Sequence, residues 1–244
     1  MKIKMFLFTT LLSVMLTSCS AEEPVPVQTN GTQAGYDTVV NYTLREEETL
    51  ALQENKEIKE FQEKNQDVIA LINIPDTLLD YPVMYREGEE EYYLRKNIDG
   101  DYDIGGLPFM QQNCSLYENN IIIYGHYFKT GEMFGCLHNY IGNPEYYNAH
   151  KDVYISTPIE EQVWRIFAVC IMTVEENGFV YNSSNHFTFE TKKEFERYRS
   201  VVEEKNTVET GETIEFGDRM LVLSTCFDYS GGNKRVVAFA KEKK

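Results

Sequence analysis

Arg219-Met220-Leu221-Val222-Leu223-Ser224-Thr225-Cys226-Phe227-Asp228-Tyr229-Ser230-Gly231-Gly232-Asn233-Lys234-Arg235-Val236-Val237-Ala238-Phe239-Ala240 reads as strand, loop, strand. Met220–Cys226 is a short apolar run, Ser230–Asn233 has turn chemistry, and Arg235–Ala240 is a second apolar run. Paired as a hairpin, the two strands set a thiol at the end of one beside a guanidinium at the start of the next. Directly opposed residues in such a pair have Cα atoms ~4.5–5.5 Å apart. The nucleophilic form of cysteine is the thiolate, and a free thiol with a pKa of about 8.5 is only a few per cent ionised at neutral pH. A cation beside it raises that fraction. Arginine keeps its proton and presents a rigid fork of donors, so Arg235 also suits a carbonyl oxygen that gains negative charge. Taken alone, the stretch is read first as an ordinary hairpin with a buried cysteine and a surface arginine.

A second stretch is informative, although a lone histidine at a strand end is by itself read first as structural. Asn119-Asn120-Ile121-Ile122-Ile123-Tyr124-Gly125-His126-Tyr127 is a buried strand that ends at Gly125 and releases His126. Histidine is suited to proton transfer near neutral pH. The histidines His126, His138, His150 and His186 show no HExxH or other close ligand spacing, so neither a metal nor another cofactor is expected.

Between and before these stretches the pattern is one of short strands: Val68–Ile74, Leu79–Met84, Leu107–Gln111, Asn120–Tyr124, Lys151–Thr157 and Val163–Val174. With the opening pair the count reaches about eight, which argues for a sandwich or barrel. Hydrophobic residues make up 42% of the 244 and aromatic ones 13%, enough for one sizeable β-rich core. Two helices interrupt the strands. Glu132–Ile141 places Met133, Leu137 and Tyr140 along one side, and Thr191–Asn206 opens with a capping box, Thr191 to Glu194.

The first eighteen residues form an export leader: Lys2 and Lys4 precede a short apolar core without acids. The core is shorter than the ~20 residues of a membrane span. Leu16-Thr17-Ser18-Cys19 resembles a lipobox, which makes Cys19 the lipidation site; a retained signal anchor is the rival reading. Either way the rest of the chain lies outside the cytoplasmic membrane. Residues 19–43 read as a flexible tether, 44–66 as a charged amphipathic helix and 67–244 as the catalytic barrel. The formal net charge of −16 excludes a general basic surface for nucleic acid. Of the five cysteines, Cys19 is assigned to lipid, Cys170 to core packing and Cys226 to a free thiol; the spacings of Cys114, Cys136, Cys170 and Cys226 match no compact disulfide framework.

Ile123-Tyr124-Gly125-His126, Met133-Phe134-Gly135, Leu223-Ser224-Thr225-Cys226 and Arg235-Val236-Val237 resemble the signature stretches of class B sortases. Ile74-Pro75-Asp76, Asp80-Tyr81-Pro82-Val83 and Glu91-Tyr92-Tyr93-Leu94 fit the same class, and all fall in family order from about Val68 onward. The resemblance implies a mainly β fold, an eight-stranded sortase barrel with an N-terminal helix and a further helix between strands 6 and 7, where Thr191–Asn206 stands. It implies transpeptidation: a cysteine attacks the threonine carbonyl of a C-terminal sorting signal on an exported protein, and an amine of the peptidoglycan cross-bridge resolves the acyl-enzyme. Carried onto this chain, Cys226 is the nucleophile, His126 the proton carrier and Arg235 the oxyanion partner. Ser224 and Thr225 line the approach of substrate, and the loop Glu175–Phe187 helps to hold it. Asp228 is a candidate to orient His126 or Arg235, set against an ordinary loop role. The place of work is then the outer face of the cytoplasmic membrane of a Gram-positive-type bacterium.

The lipoprotein-type leader departs from the membrane helix usual in the class. A papain-like protease is disfavoured because its cysteine precedes its histidine, whereas His126 precedes Cys226 here. A pilin-polymerising sortase and a non-catalytic peptide-binding lipoprotein are the remaining alternatives.

Overall fold

The computed structural model describes residues 55–173, 189–229 and 232–243. The leader, Cys19, the tether, residues 44–54 of the expected first helix and the loop Glu175–Phe187 lie outside these described residues. No helix among the described residues is long and apolar enough to cross a membrane.

The strands are β1 (Val68–Asn73), β2 (Asp80–Met84), β3 (Phe109–Met110), β4 (Asn120–Tyr124), β5 (Asp152–Ser156), β6 (Glu161–Thr173), β7 (Met220–Cys226) and β8 (Lys234–Glu242). They form a closed barrel in the order β1-β2-β3-β4-β7-β8-β6-β5. All neighbours are antiparallel except β2 with β3 and β4 with β7, which are parallel. Among the described residues, closure leaves no barrel strand with an unpaired edge. The eight strands expected from the sequence are all present: β4 and β7 have the expected bounds, β1, β2 and β5 are shorter by a residue at one or both ends, β3 shrinks to two residues, β6 starts two residues earlier, and β8 extends to Lys234–Glu242.

The helices are α1 (Lys56–Lys64), α2 (Pro144–Ala149) and α3 (Lys192–Lys205). Asn55 is extended and its side-chain oxygen accepts from the backbone N–H groups of Glu57 and Ile58, so α1 starts there. The expected helix at Glu132–Ile141 is a tighter 3₁₀ segment, Phe134–Tyr140, entered through Met133 at φ 51°. Helix α2 was not anticipated: it is a short segment with Asn143 as cap and a proline in its first turn. The capping box on α3 is present, with the Thr191 hydroxyl accepting from the Glu194 N–H and the Glu194 carboxylate from that of Thr191.

Strands β4 and β7 are apolar on both faces, and the packing shows why. Ile121, Ile123, Leu221 and Leu223 point into the barrel with Trp164, Val236 and Ala238. Ile122, Met220 and Val222 point outward, where Phe195, Tyr198 and Val202 of α3 cover them. A strand buried on two sides reads as a continuous apolar run instead of an alternating one. Helix α3, in the connection from β6 to β7, thus supplies a second core outside the barrel wall.

A third cluster joins Val68, Met84, Tyr93 and Phe109. It anchors a 3₁₀ turn, Tyr92–Arg95. The Tyr93 hydroxyl donates to Asp67 at 2.6 Å and accepts from the Asn65 amide at 2.9 Å.

Candidate active site

The site is set by a strand register. Parallel pairing of β4 with β7 puts Tyr124 opposite Ser224, and the Gly125 N–H donates to the Ser224 carbonyl at 3.1 Å. Two residues beyond Tyr124 is His126; two beyond Ser224 is Cys226. Antiparallel pairing of β7 with β8 then puts Cys226 directly opposite Arg235. The strands on either side of β7 therefore deliver the imidazole and the guanidinium to the Cys226 end of the barrel. Gly125 is required at the exit from β4: a Cβ there would lie 2.7 Å from the Phe134 ring.

His126, Ser224, Thr225, Cys226 and Arg235 all line one groove of about 400 Å³, together with Glu90, Glu91, Leu94, Arg95, Phe109 and Tyr124. Cys226 is half-buried, whereas the thiols of Cys114, Cys136 and Cys170 are buried, and all four are free. Burial pushes the Cys114 thiol up to about 11, with Glu118 adding to it, and the Cys136 thiol up to about 12. Cys170 is raised by the same cause. Ser224 and Thr225 are each 2% exposed, and the Thr225 hydroxyl has no hydrogen-bond partner among the described residues.

His126 is held by its Nε2 atom, 2.8 Å from the Leu94 carbonyl oxygen and 2.6 Å from Nη1 of Arg95. Its proton affinity is lowered by burial first and by the Arg95 charge, against the opposing pulls of the Leu94 carbonyl and Asp103. Arg235 is fixed through Nη1, which donates to the carbonyls of Gly232 at 2.8 Å and Lys234 at 2.9 Å.

His138 clasps the two loops that follow β4 and β7. Its Nε2 lies 3.0 Å from the Phe227 carbonyl, which makes it the donor, and its ring stacks on Tyr127 at 4.0 Å. Tyr127 in turn packs on Tyr229, whose hydroxyl accepts from the Lys129 N–H at 3.0 Å. Asp228 contributes its charge to Tyr127 and is not among the described residues that line the groove.

Of the residues singled out in the sequence, His126, Cys226, Arg235, Ser224 and Thr225 are brought together. Arg95, Glu90, Phe109 and His138 were passed over. The stretch Tyr92-Tyr93-Leu94 was the available pointer to Arg95, since it ends one residue short of it.

This mainly β closed barrel, with a cysteine, a histidine and an arginine on one groove, has a family model to match. The sortase domain model covers residues 72–243, and the chain belongs to the sortase family. Its relatives are of class B. Sortase B of Listeria monocytogenes is 28% identical over 172 residues, 70% of this chain and 67% of that one. The structure of Clostridium perfringens sortase B matches with a TM-score of 0.66 at 26% identity, covering 76% of this chain and 99% of that one. A Staphylococcus aureus sortase B–substrate complex has the same fold, with a TM-score of 0.69 at 24% identity, covering 82% of this chain and 90% of that one. The chain is thus a class B sortase, and the class supports a cysteine transpeptidase role.

Proposed function

We propose that this chain cleaves a C-terminal sorting signal of exported proteins after a threonine and transfers the acyl group to a peptidoglycan amine. The observation that carries the reading is the register across three strands that puts Cys226, His126 and Arg235 on one groove.

The Cys226 sulfur, as thiolate, attacks the threonine carbonyl carbon, and the carbonyl oxygen takes the negative charge. The Arg235 guanidinium stabilises that oxyanion, with its fork fixed by the Gly232 and Lys234 carbonyls. As the scissile C–N bond breaks, His126 as imidazolium gives its proton to the leaving nitrogen, and a thioester remains on sulfur. An incoming amine attacks the thioester and passes its extra proton to His126. The sulfur leaves, and a new C–N bond replaces the old one. One amide is exchanged for another, so no net redox change or energy source is needed.

Ser224, Thr225 and the opposite wall of Leu94 and Phe109 would hold the peptide. Asp228, whose charge acts on Tyr127, stays a candidate to orient His126 or Arg235, set against an ordinary loop role. The relatives' bacterial sources support a cell-envelope location. Attachment to the outer face of the membrane through a lipid on Cys19 follows from the leader alone.

The test is to mix purified enzyme with a threonine-containing sorting-peptide library and candidate amines, and to identify products by mass. The reading predicts ligated products that require an amine. Binding of peptide without cleavage would support a non-catalytic module instead, and head-to-tail polymers of a lysine-bearing pilin would support pilus assembly.

A further inference from the structure

Nε2 of His126 faces two partners that make opposite demands. The Leu94 carbonyl, at 2.8 Å, accepts hydrogen bonds and needs a proton on that nitrogen. Nη1 of Arg95, at 2.6 Å, only donates and needs a lone pair there. A neutral ring satisfies one partner at a time, according to its tautomer. The imidazolium satisfies the carbonyl alone and sets a second cation against the first.

Arg95 is fixed in this position. Its Nη1 also donates to the Ile104 carbonyl. Its own carbonyl accepts from the Asp103 N–H at 3.1 Å. The turn that carries it is rooted in the core by Tyr93, which is 2% exposed. Gly106 allows the close approach of the next segment: at φ 56°, a Cβ would lie 2.5 Å from the Leu94 oxygen.

We infer that Arg95 is a positioning residue that sets the charge state of His126. By standing against Nε2 it favours the neutral ring, and it makes the imidazolium, once formed, a readier donor to the leaving amine. The other charged or titratable groups around the ring come from several elements. Asp103, in the segment after the turn, pulls toward the protonated form. Glu90 and Glu91 before the turn, Tyr124 on β4, Cys226 at the end of β7 and Arg235 on β8 line the same groove. Arg95 is the charged group among them within hydrogen-bond distance of Nε2.

The inference rests on the transpeptidase reading only for its kinetic consequence, so its first test needs no substrate. Arg95→Gln keeps a donor for the Ile104 carbonyl and removes the charge; Arg95→Lys keeps the charge. Histidine rings labelled with ¹³C are titrated by NMR in the full enzyme, and His126 is assigned by its loss in His126→Asn. The His126 midpoint is expected to rise in Arg95→Gln and to stay near the parent value in Arg95→Lys. The His138 midpoint in the same spectra is expected to stay still, which reports an intact fold around the site. An unmoved or lowered His126 midpoint in Arg95→Gln, or an equal shift in both variants, overturns the inference. In turnover assays, the limb of the pH–rate profile that belongs to His126 moves upward in Arg95→Gln. A shifted midpoint in an enzyme that turns over no peptide would sink the transpeptidase reading and leave the role of Arg95 standing.

Discussion

Cys226 and Arg235 face each other across the last strand pair of the barrel, one closing β7 and the other near the start of β8. The Arg235 side chain is tied back by one nitrogen to two carbonyls of its own loop. A lysine can carry the charge but cannot hold those two carbonyls and still present a fork to an oxyanion. Arg235→Lys is expected to lower kcat/KM for peptide cleavage about 100-fold or more, the scale of losing one oxyanion donor. Near-parent turnover would remove Arg235 from the oxyanion role.

Burial divides the cysteines. Cys114, Cys136 and Cys170 are buried, with thiols pushed toward the neutral form, while Cys226 is half-buried on the groove. Mild alkylation at pH 8 followed by peptide mapping is expected to modify Cys226 alone among these four. Replacing the other three with Ala or Val is expected to leave acyl-enzyme formation intact, at some cost in stability. Loss of acylation in a folded triple variant would contradict this division.

Two glycines with positive φ make a matched pair. A Cβ on Gly106 would lie 2.2 Å from the Tyr93 oxygen, whereas one on Gly131, at φ 90°, would meet nothing within 4 Å. Gly131→Ala carries only the left-handed backbone penalty of about 1–2 kcal/mol. Gly106→Ala adds a backbone clash under Leu94, and its Tm is expected to fall by roughly 5 °C more than that of Gly131→Ala. Equal melting shifts would show that the turn holding His126 is not packed as described.

Burial lowers the proton affinities of His126 and His138 below the ordinary value of 6.5. The unfolded chain then binds protons more readily than the native one in that range. Stability is therefore full above about pH 6.5 and falls as pH drops from there through the two native values. Asp152 and Glu212 add a separate loss nearer pH 4. Burial pushes both up, but Arg165 with Lys243 holds Asp152 low, and Lys241 with Arg165 holds Glu212 low. Urea titrations should show a shallower decline from pH 7 to 5 in His138→Gln, which keeps a donor for Phe227. An unchanged slope would place the acid sensitivity elsewhere.

Much of this fold was legible because barrel strands announce themselves. The apolar runs at Asn120–Tyr124 and Met220–Cys226 are long, bounded by turn residues and rich in Ile, Val and Leu. The ends of such runs offered His126, Cys226 and Arg235 as candidates, and their resemblance to the signature stretches of class B sortases, not strand pattern alone, assigned them roles. The parallel pairing of β4 with β7 was not, since residues so far apart in sequence carry no local sign of their register. Helix α2 was missed because a short segment shows no full helical period. The close packing at Phe134–Tyr140 was not legible either: a Cβ on Gly135 would lie 2.0 Å from the Phe128 oxygen. Arg95 was passed over because its importance comes from Nε2 of His126, a neighbour supplied only by tertiary folding.

On the proposed mechanism a single sulfur carries the acyl group. The most direct measurement is the intact mass of the enzyme during reaction with a threonine-containing sorting peptide, followed by mapping of the adduct. The expected result is a thioester on Cys226, absent in Cys226→Ala, that disappears when an amine is added. A mass adduct on any other residue, or peptide cleavage that persists in Cys226→Ala, would contradict it.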